Sequence, residues 1–436
     1  MNDFASLVLL GWIPAVLVLF MCLPARTAVI WAFVVGWLFL PVAEVPLRGL
    51  PNLNKISVTN LAVLAGVAVF DPDRLLRFRP GWRVDLPAVL LCVVPFASSV
   101  TNGLGAYDGL SAVLERLFGW GSAYLVGRVY FTTLDDATAL ARSFFIGGLL
   151  YVPFCLFEIR MSPQLHRLVY GVHQHAFAQT IRFGGYRPMV FMAHGLMVGA
   201  WMSMALLIGF WLWKCGGLAQ LGGWRMSLWV GLLAVTTLWC KSFGALVLLG
   251  VGLGVLFLAR RRRWLVPLYV LVLVPPAYVL GRTAMGWSGE VISAYAAKIS
   301  TERAASFDTR RTNEDMLVQK ALQRPLFGWG RWGRNRVYDV HGKDMSITDG
   351  EWIIELGTTG AVGLAALFAF MLLPPAVLLR RLGVPGLTDP RAAGAAALAV
   401  AVVLYTIDMI PNAMVNPVFT LSVGALASVA DALGGA

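Results

Sequence analysis

Charge is what this chain has least of. Only 13% of its 436 residues are Asp, Glu, Lys or Arg, whereas 58% are hydrophobic and the mean hydropathy is +0.73. A soluble domain of this length could not bury so much apolar surface, so a water-soluble globular fold is excluded. Acidic charge is scarcer still: 23 acidic residues stand against 35 basic ones, a net charge of +12. A basic chain can bind nucleic acid. Here the charges fall between apolar runs, which points to a membrane surface and an anionic substrate, with no nucleic acid as partner. The five cysteines, Cys22, Cys92, Cys155, Cys215 and Cys240, lie in or at the ends of apolar runs. None has disulfide or metal-ligand spacing, so they read as small packing residues and leave the redox compartment open. There is no P-loop, GxGxxG, HExxH, GxSxG or CxxC, and ATP-driven transport, zinc proteolysis and esterase chemistry lack their usual signals. The DxD-like triplet Asp71-Pro72-Asp73 reads as a helix-end turn, and no metal or cofactor is expected. No repeat, heptad seam, low-complexity tract or interdomain linker breaks the chain.

What is present is a series of apolar runs near 20 residues long, the length that crosses a bilayer as helix. They fall at 4–24, 27–46, 57–71, 85–101, 109–128, 137–158, 189–213, 225–240, 243–259, 264–281, 350–379, 392–410 and 413–433. Outer-membrane strands alternate over about ten residues, and these runs are continuous. The expected fold is therefore all-α: a polytopic integral membrane protein of 12–13 transmembrane helices, residues 1–436 forming one membrane domain that lies in the lipid bilayer. The first run has no basic leader and reads as a retained helix rather than a cleaved signal.

Lys/Arg bias orients the chain. Arg260-Arg261-Arg262-Arg263, the Arg-rich 71–85 segment, 214–225 and 380–391 all fall on one side, expected to be cytoplasmic. That places the C-terminus inside and, if all 13 runs span, the N-terminus outside. Two long loops, 159–188 and 282–349, remain on the opposite side. The first carries Arg160, Arg167, Arg182, Arg187 and three histidines with no acid, and the second holds 11 basic against 8 acidic residues. Net-positive external loops call for a reason, and binding an anion supplies one. A loop of about 70 residues is too long for a simple connector, and its Trp, Phe and Gly content argues against disorder. We expect the 282–349 loop to be catalytic and partly helical, with a helical stretch at 314–322.

Three segments carry candidate chemistry. Arg182-Phe183-Gly184-Gly185-Tyr186-Arg187-Pro188 leads into a helix through Met189 to His194, with Pro188 in its first turn; a helix N-terminus favours an anion. Lys241-Ser242-Phe243-Gly244-Ala245 puts a cation in a tight external hairpin, which needs an anionic partner. The long loop holds Arg310-Arg311, Pro325-Leu326-Phe327-Gly328-Trp329-Gly330, His341 and Asp349, followed by Glu351 and Glu355 one turn apart. Gly357, Gly360 and Gly363 permit close helix contacts. His341 is the only histidine of that loop and has the titration range of a general base. His194 reads as a hydrogen-bonded core histidine, and Asp408 as a residue that pairs with an Arg or caps the break before Pro411. Trp287, Trp329, Trp332 and Trp352 suit either sugar stacking or an interfacial belt.

In order and spacing, these segments over residues 180–380 resemble the O-antigen ligase and oligosaccharide polymerase superfamily. The resemblance rests on Arg182…Gly185…Arg187-Pro188, on Lys241-Ser242-Phe243-Gly244-Ala245, on Arg310-Arg311 followed by Pro325–Gly330, and on Asp349…Glu355-Leu356-Gly357-Thr358-Thr359-Gly360. It implies a GT-C-like fold in the bacterial inner membrane, with 159–188 and 282–349 as periplasmic loops. It implies transfer of a glycan from undecaprenyl diphosphate to an acceptor lipid or glycan, without nucleotide sugar or metal ion. By the same resemblance Arg182, Arg187 and Arg311, with Arg310 and Lys241 beside them, hold the diphosphate, and His341 is the base. Lys241 stands where the family has arginine. The family histidine would fall near Ser346, which leaves Asp349 and Glu351 as alternative bases. Ligase and repeat-unit polymerase differ only in acceptor. A transporter or flippase for an anionic lipid-linked substrate, or a non-catalytic envelope partner, are the readings of other classes.

Overall fold

The computed structural model describes residues 3–434 apart from 183, 288, 291–297 and 299–300, and leaves undescribed the side chains of residues 83 and 301–307. Phe183 of the Arg182–Pro188 segment and part of the 282–349 loop therefore lie outside the described residues. The chain is 73% helical with almost no sheet. It is an all-α polytopic membrane protein. Among the described residues eight helices are long and apolar enough to cross a bilayer: Asp3–Cys22, Trp82–Thr101, Leu134–Met161, Gly195–Lys214, Phe243–Arg262, Val266–Thr283, Glu351–Thr388 and Pro417–Gly434. Four shorter apolar helices, Ala25–Phe39, Lys55–Phe70, Met226–Trp239 and Ala393–Asp408, stand among them. The remaining apolar run, 109–128, is a composite of Gly105–Arg116, a π-helical turn Leu117–Gly121 and Ser122–Tyr130. Every run read from hydropathy thus contains a helix. Fewer reach spanning length because breaks and tight turns shorten them.

Successive helices alternate in direction, so the connections gather at two ends. One end holds the four basic turns. There Arg128 Nε lies 2.8 Å from Asp85 and its Nη2 lies 2.9 Å from Asp431, joining Ser122–Tyr130 to Trp82–Thr101 and Pro417–Gly434. Arg26 pairs with Asp136, and Trp211 Nε1 donates to Leu387 O at 2.7 Å. A desolvated guanidinium without a carboxylate would be costly, so the Arg128 pairs fix which of these helix ends meet. Gly127 and Gly424 let two helices touch at backbone distance: a Cβ on Gly127 would stand 2.2 Å from Leu421 O. Close packing of this kind holds helices together where lipid offers no hydrophobic drive.

The opposite end holds the described residues of 159–188 and 282–349, a short hairpin (Glu44–Val45 with Leu53–Asn54) and the 409–416 turn. Cross-links here are also specific. Glu158 accepts from the backbone N–H groups of Leu165, Met189 and Val190 at 2.7–2.9 Å. His166 Nε2 accepts from Val42 N, and Glu351 N donates to Met409 O.

Two local expectations change. The helix after Pro188 begins at Gly195, not at Met189, because residues 189–192 form a buried turn held by Glu158 and His194 is the N-cap. The loop helix runs Thr301–Leu322 rather than 314–322, supported by Asp308–Arg311 and Arg311–Asp315 pairs one turn apart.

Candidate functional site

The Arg182 segment folds as a hairpin, Ile181–Arg182 against Gly185–Tyr186. Lys241, at a positive φ of 52° between Met226–Trp239 and Phe243–Arg262, underpins it. Its Nζ donates to Arg182 O at 3.1 Å, and its carbonyl accepts from Arg187 Nη2 at 3.3 Å. Lys241 therefore braces the arginine hairpin. Arg187 is buried, and its Nε has no hydrogen-bond partner among the described residues. No carboxylate pairs with Arg182 or Arg187 among those residues.

The loop helix Thr301–Leu322 brings Arg310 to this group. Burial, followed by repulsion from Arg182 and Arg310, pushes Arg187 down to about 10, so it stays protonated at neutral pH. The same three guanidinium groups act on His194, whose burial and neighbours His175 and Arg187 push it down to about 4. His194 is therefore neutral. Its Nδ1 caps the helix by accepting from Leu196 N, and Nε2 faces Gln179, so neither nitrogen is free to act as a base. His194 is hydrogen-bonded as expected, but it stands half-buried at a helix end rather than in the core.

Arg310 also lines a cavity of about 460 Å³, whereas Arg182 and Arg187 are not among its lining residues. Its apolar wall comes from the start of Phe243–Arg262 and from Ile407 and Ile410, and its polar wall from Arg310, Arg311, Glu314 and Asp408. Arg310 Nε lies 3.2 Å from Asp349, and Arg311 lies between Asp308 and Asp315. Tyr278 donates to Glu314 at 2.7 Å, with Arg282 at 3.4 Å. Burial raises the Glu314 carboxyl above its ordinary value. Asp408, at the end of Ala393–Asp408, accepts from Asn412 Nδ2 and is within electrostatic reach of Arg310.

The other sequence candidates sit differently. His341 is exposed on a turn in which Asp339 Oδ1 accepts from the backbone N–H groups of His341 and Lys343; it is not among the residues lining the cavity. Glu351 is buried at the head of Glu351–Thr388, near the ion pair of half-buried Arg116 with buried Glu355 and away from the cavity lining. Trp329 is enclosed between Lys320 and Arg324, and Trp352 is buried against Tyr278. Trp287 lines the cavity, and Trp332 is exposed. Glu314 is the cavity carboxylate that was not singled out from sequence. Its spacing of four from Arg310 and three from Arg311 was the available signal.

The glycine series serves another purpose than helix packing. Glu351–Thr388 breaks at Gly360 (φ 70°, ψ −166°), and the Pro325–Gly330 turn fills the break. Trp329 N donates to Gly357 O, Gly330 N to Thr358 O, and Ala361 N to Pro325 O, at 2.7–3.0 Å. Ser98 Oγ donates to Thr358 O, and Asn102 Nδ2 to Gly328 O. Non-helical backbone within a membrane domain must be satisfied by protein, and here the loop supplies the partners. The docking anchors one end of the loop helix that carries Arg310, Arg311 and Glu314. Among the described residues no three His, Cys, Asp or Glu side chains cluster to hold a metal. No protein-family model matches the chain, and neither does any curated protein.

Proposed function

We propose that the protein transfers a glycan from undecaprenyl diphosphate to an acceptor hydroxyl on the periplasmic face of the bacterial inner membrane, in the manner of an O-antigen ligase. The observation that carries this reading is a cluster of guanidinium groups, two without carboxylate partners among the described residues, beside a largely apolar cavity of about 460 Å³. A lipid-linked diphosphate has that duality: charge at one end and hydrocarbon next to it. In this reading the diphosphate sits at the Arg310 wall, the first isoprene units lie against the apolar wall, and the rest of the chain extends into lipid. Pockets of roughly 300–1,000 Å³ hold small ligands.

In this reading Arg182, Arg187 and Arg310 bind the diphosphate, and their forked donors match its oxygens. The acceptor oxygen attacks the anomeric carbon. The bond from that carbon to the phosphate oxygen breaks, and its electron pair leaves with the diphosphate, whose charge the arginines stabilise. A carboxylate takes the hydroxyl proton. Asp349, paired with Arg310, and Glu314, lining the cavity, are the carboxylates proposed for this role. His341 would need its turn to move inward to serve.

Purified protein given an undecaprenyl-diphosphate glycan and acceptor should release undecaprenyl diphosphate and form the transferred product. Unchanged turnover in an Arg182→Ala/Arg310→Ala double variant would refute the diphosphate cradle. Movement of intact lipid-linked glycan across proteoliposomes, with no covalent change, would favour a flippase instead. A polymerase performs the same reaction on a different acceptor. Removing the protein from cells separates the two: full-length chains stuck on the carrier mean ligase, and single repeat units mean polymerase.

A further inference from the structure

A second cavity, of about 230 Å³, lies on the other side of a thin wall from the first. Ala193, Met197 and Val415 line the second cavity, while Leu196, Pro411 and Asn412 line the first. The start of Gly195–Lys214 and the 411–415 segment therefore separate the two, a thickness on the order of one helix diameter. At the base of the second cavity is Lys55, only 8% exposed. Its Nζ donates to Trp37 O at 3.0 Å and to Phe191 O at 3.2 Å, and lies 4.4 Å above the Trp37 ring. An ammonium has three donors, and these contacts use two. Among the described residues no carboxylate is within ion-pair distance of it. Lys55 also opens the helix Lys55–Phe70, where the helix dipole already disfavours a cation. A buried charge so placed is expensive unless an anion completes it. Glu44, exposed and held by Asn52, and Asn54 stand in the same wall and can bind hydroxyl groups.

We propose that this cavity binds the phosphate-bearing headgroup of a second amphiphile, seated on Lys55. Its identification as the glycan acceptor rests on the transferase reading, whereas the binding itself does not. The size suits a phosphorylated sugar headgroup. Its position sets an acceptor one wall away from the donor diphosphate, so that a hydroxyl can reach over the wall to the reacting carbon while the two anions stay apart.

The test is binding to the full chain in phosphatidylcholine nanodiscs, with octyl glucoside 6-phosphate and octyl glucoside as the probe pair. The phosphate should bind at least about tenfold tighter, since a hydrogen bond to a charged group contributes about 1.5–3 kcal/mol. Lys55→Met should abolish that preference, and Lys55→Arg should keep it. Ala193→Leu, which leaves the lysine in place and fills the cavity, should also abolish it. Arg310→Ala should leave it unchanged, which separates this site from the diphosphate cradle. Equal binding of the two probes, or a preference that survives both Lys55→Met and Ala193→Leu, would overturn the proposal. Dihexanoyl phosphatidylglycerol competing as well as the sugar phosphate would identify the ligand as a bilayer lipid and overturn the acceptor role. Binding that persists in a protein without transfer activity would sink the transferase reading alone.

Discussion

Arg187 has been stripped of water, has an unsatisfied Nε and is flanked by Arg182 and Arg310. A guanidinium in that position gains more from a multivalent anion than a surface arginine does, because its hydration has already been lost. Arg187→Ala or Arg310→Ala should therefore lower kcat by roughly 10²–10³, the loss that follows removal of one donor to a developing oxyanion. Steady-state release of undecaprenyl diphosphate measures it, and a change of less than threefold would remove these residues from the charge-stabilising group. Arg310 was legible in sequence because a charge in so apolar a chain needs a purpose. Glu314 was not, because a sequence does not say which face of a charged loop helix turns inward. If Glu314 is the base, only its ionised form works. Burial raises its carboxyl above the ordinary glutamate value of 4.5, so kcat should rise with pH along an acid limb displaced above that value. In Glu314→Gln the limb should vanish together with most of the rate. An unchanged limb in that variant would pass the base role to Asp349, and Asp349→Asn provides the paired measurement.

At the scale of elements, the positioning of Arg310 and Arg311 depends on one broken helix. Gly360 has a backbone conformation that L side chains rarely adopt, and a Cβ there would meet Leu326 O at 2.3 Å; a Cβ on Gly328 would meet Thr358 at 2.6 Å. Strain of this kind costs about 1–3 kcal/mol before any clash, and the clash is with backbone, which cannot swing aside. Gly360→Ala or Gly328→Ala should lower the thermal midpoint or the yield of monodisperse protein, and speed hydrogen exchange at Trp329, Gly330 and Ala361. Gly250→Ala, whose Cβ meets nothing within 4 Å, should leave all three unchanged. Equal behaviour of the three variants would mean that the loop does not dock as described. The Pro325–Gly330 and Glu355–Gly360 segments stood out in the sequence, yet their mutual docking did not. Backbone-to-backbone pairing of a turn with a helix break leaves no side-chain signature, and the glycines read equally well as helix-packing residues. The start of the helix after Pro188 was misplaced for a related reason: the apolar run 189–194 looks helical, but the acceptor that holds it as a turn, Glu158, lies on another helix.

At the scale of the whole molecule, every apolar run found by hydropathy contains a helix, because a membrane domain must satisfy its backbone within each segment. Hydropathy did not reveal the Arg116–Glu355 and Arg128–Asp85 pairs that decide which helices are neighbours. The alternating helices put 71–81, 215–225 and 389–392 at one end, and Ala178 and Val340 in the loops at the other. The proposed chemistry requires that the loop end face the periplasm, where a glycan on a polyprenyl carrier is exposed. Lys/Arg bias favours that orientation, since short basic turns stay cytoplasmic and long loops cross regardless of charge. Single cysteines at Ala178, Val340 and Asp73, all exposed, test it in a background lacking the five native cysteines. In intact cells whose outer membrane has been permeabilised, a membrane-impermeant maleimide should label Ala178→Cys and Val340→Cys within minutes. It should label Asp73→Cys only after the inner membrane is lysed. Labelling of Asp73→Cys in intact cells, or protection of either loop position, would put the arginine cluster in the cytosol. There it could not act on a periplasmic glycan.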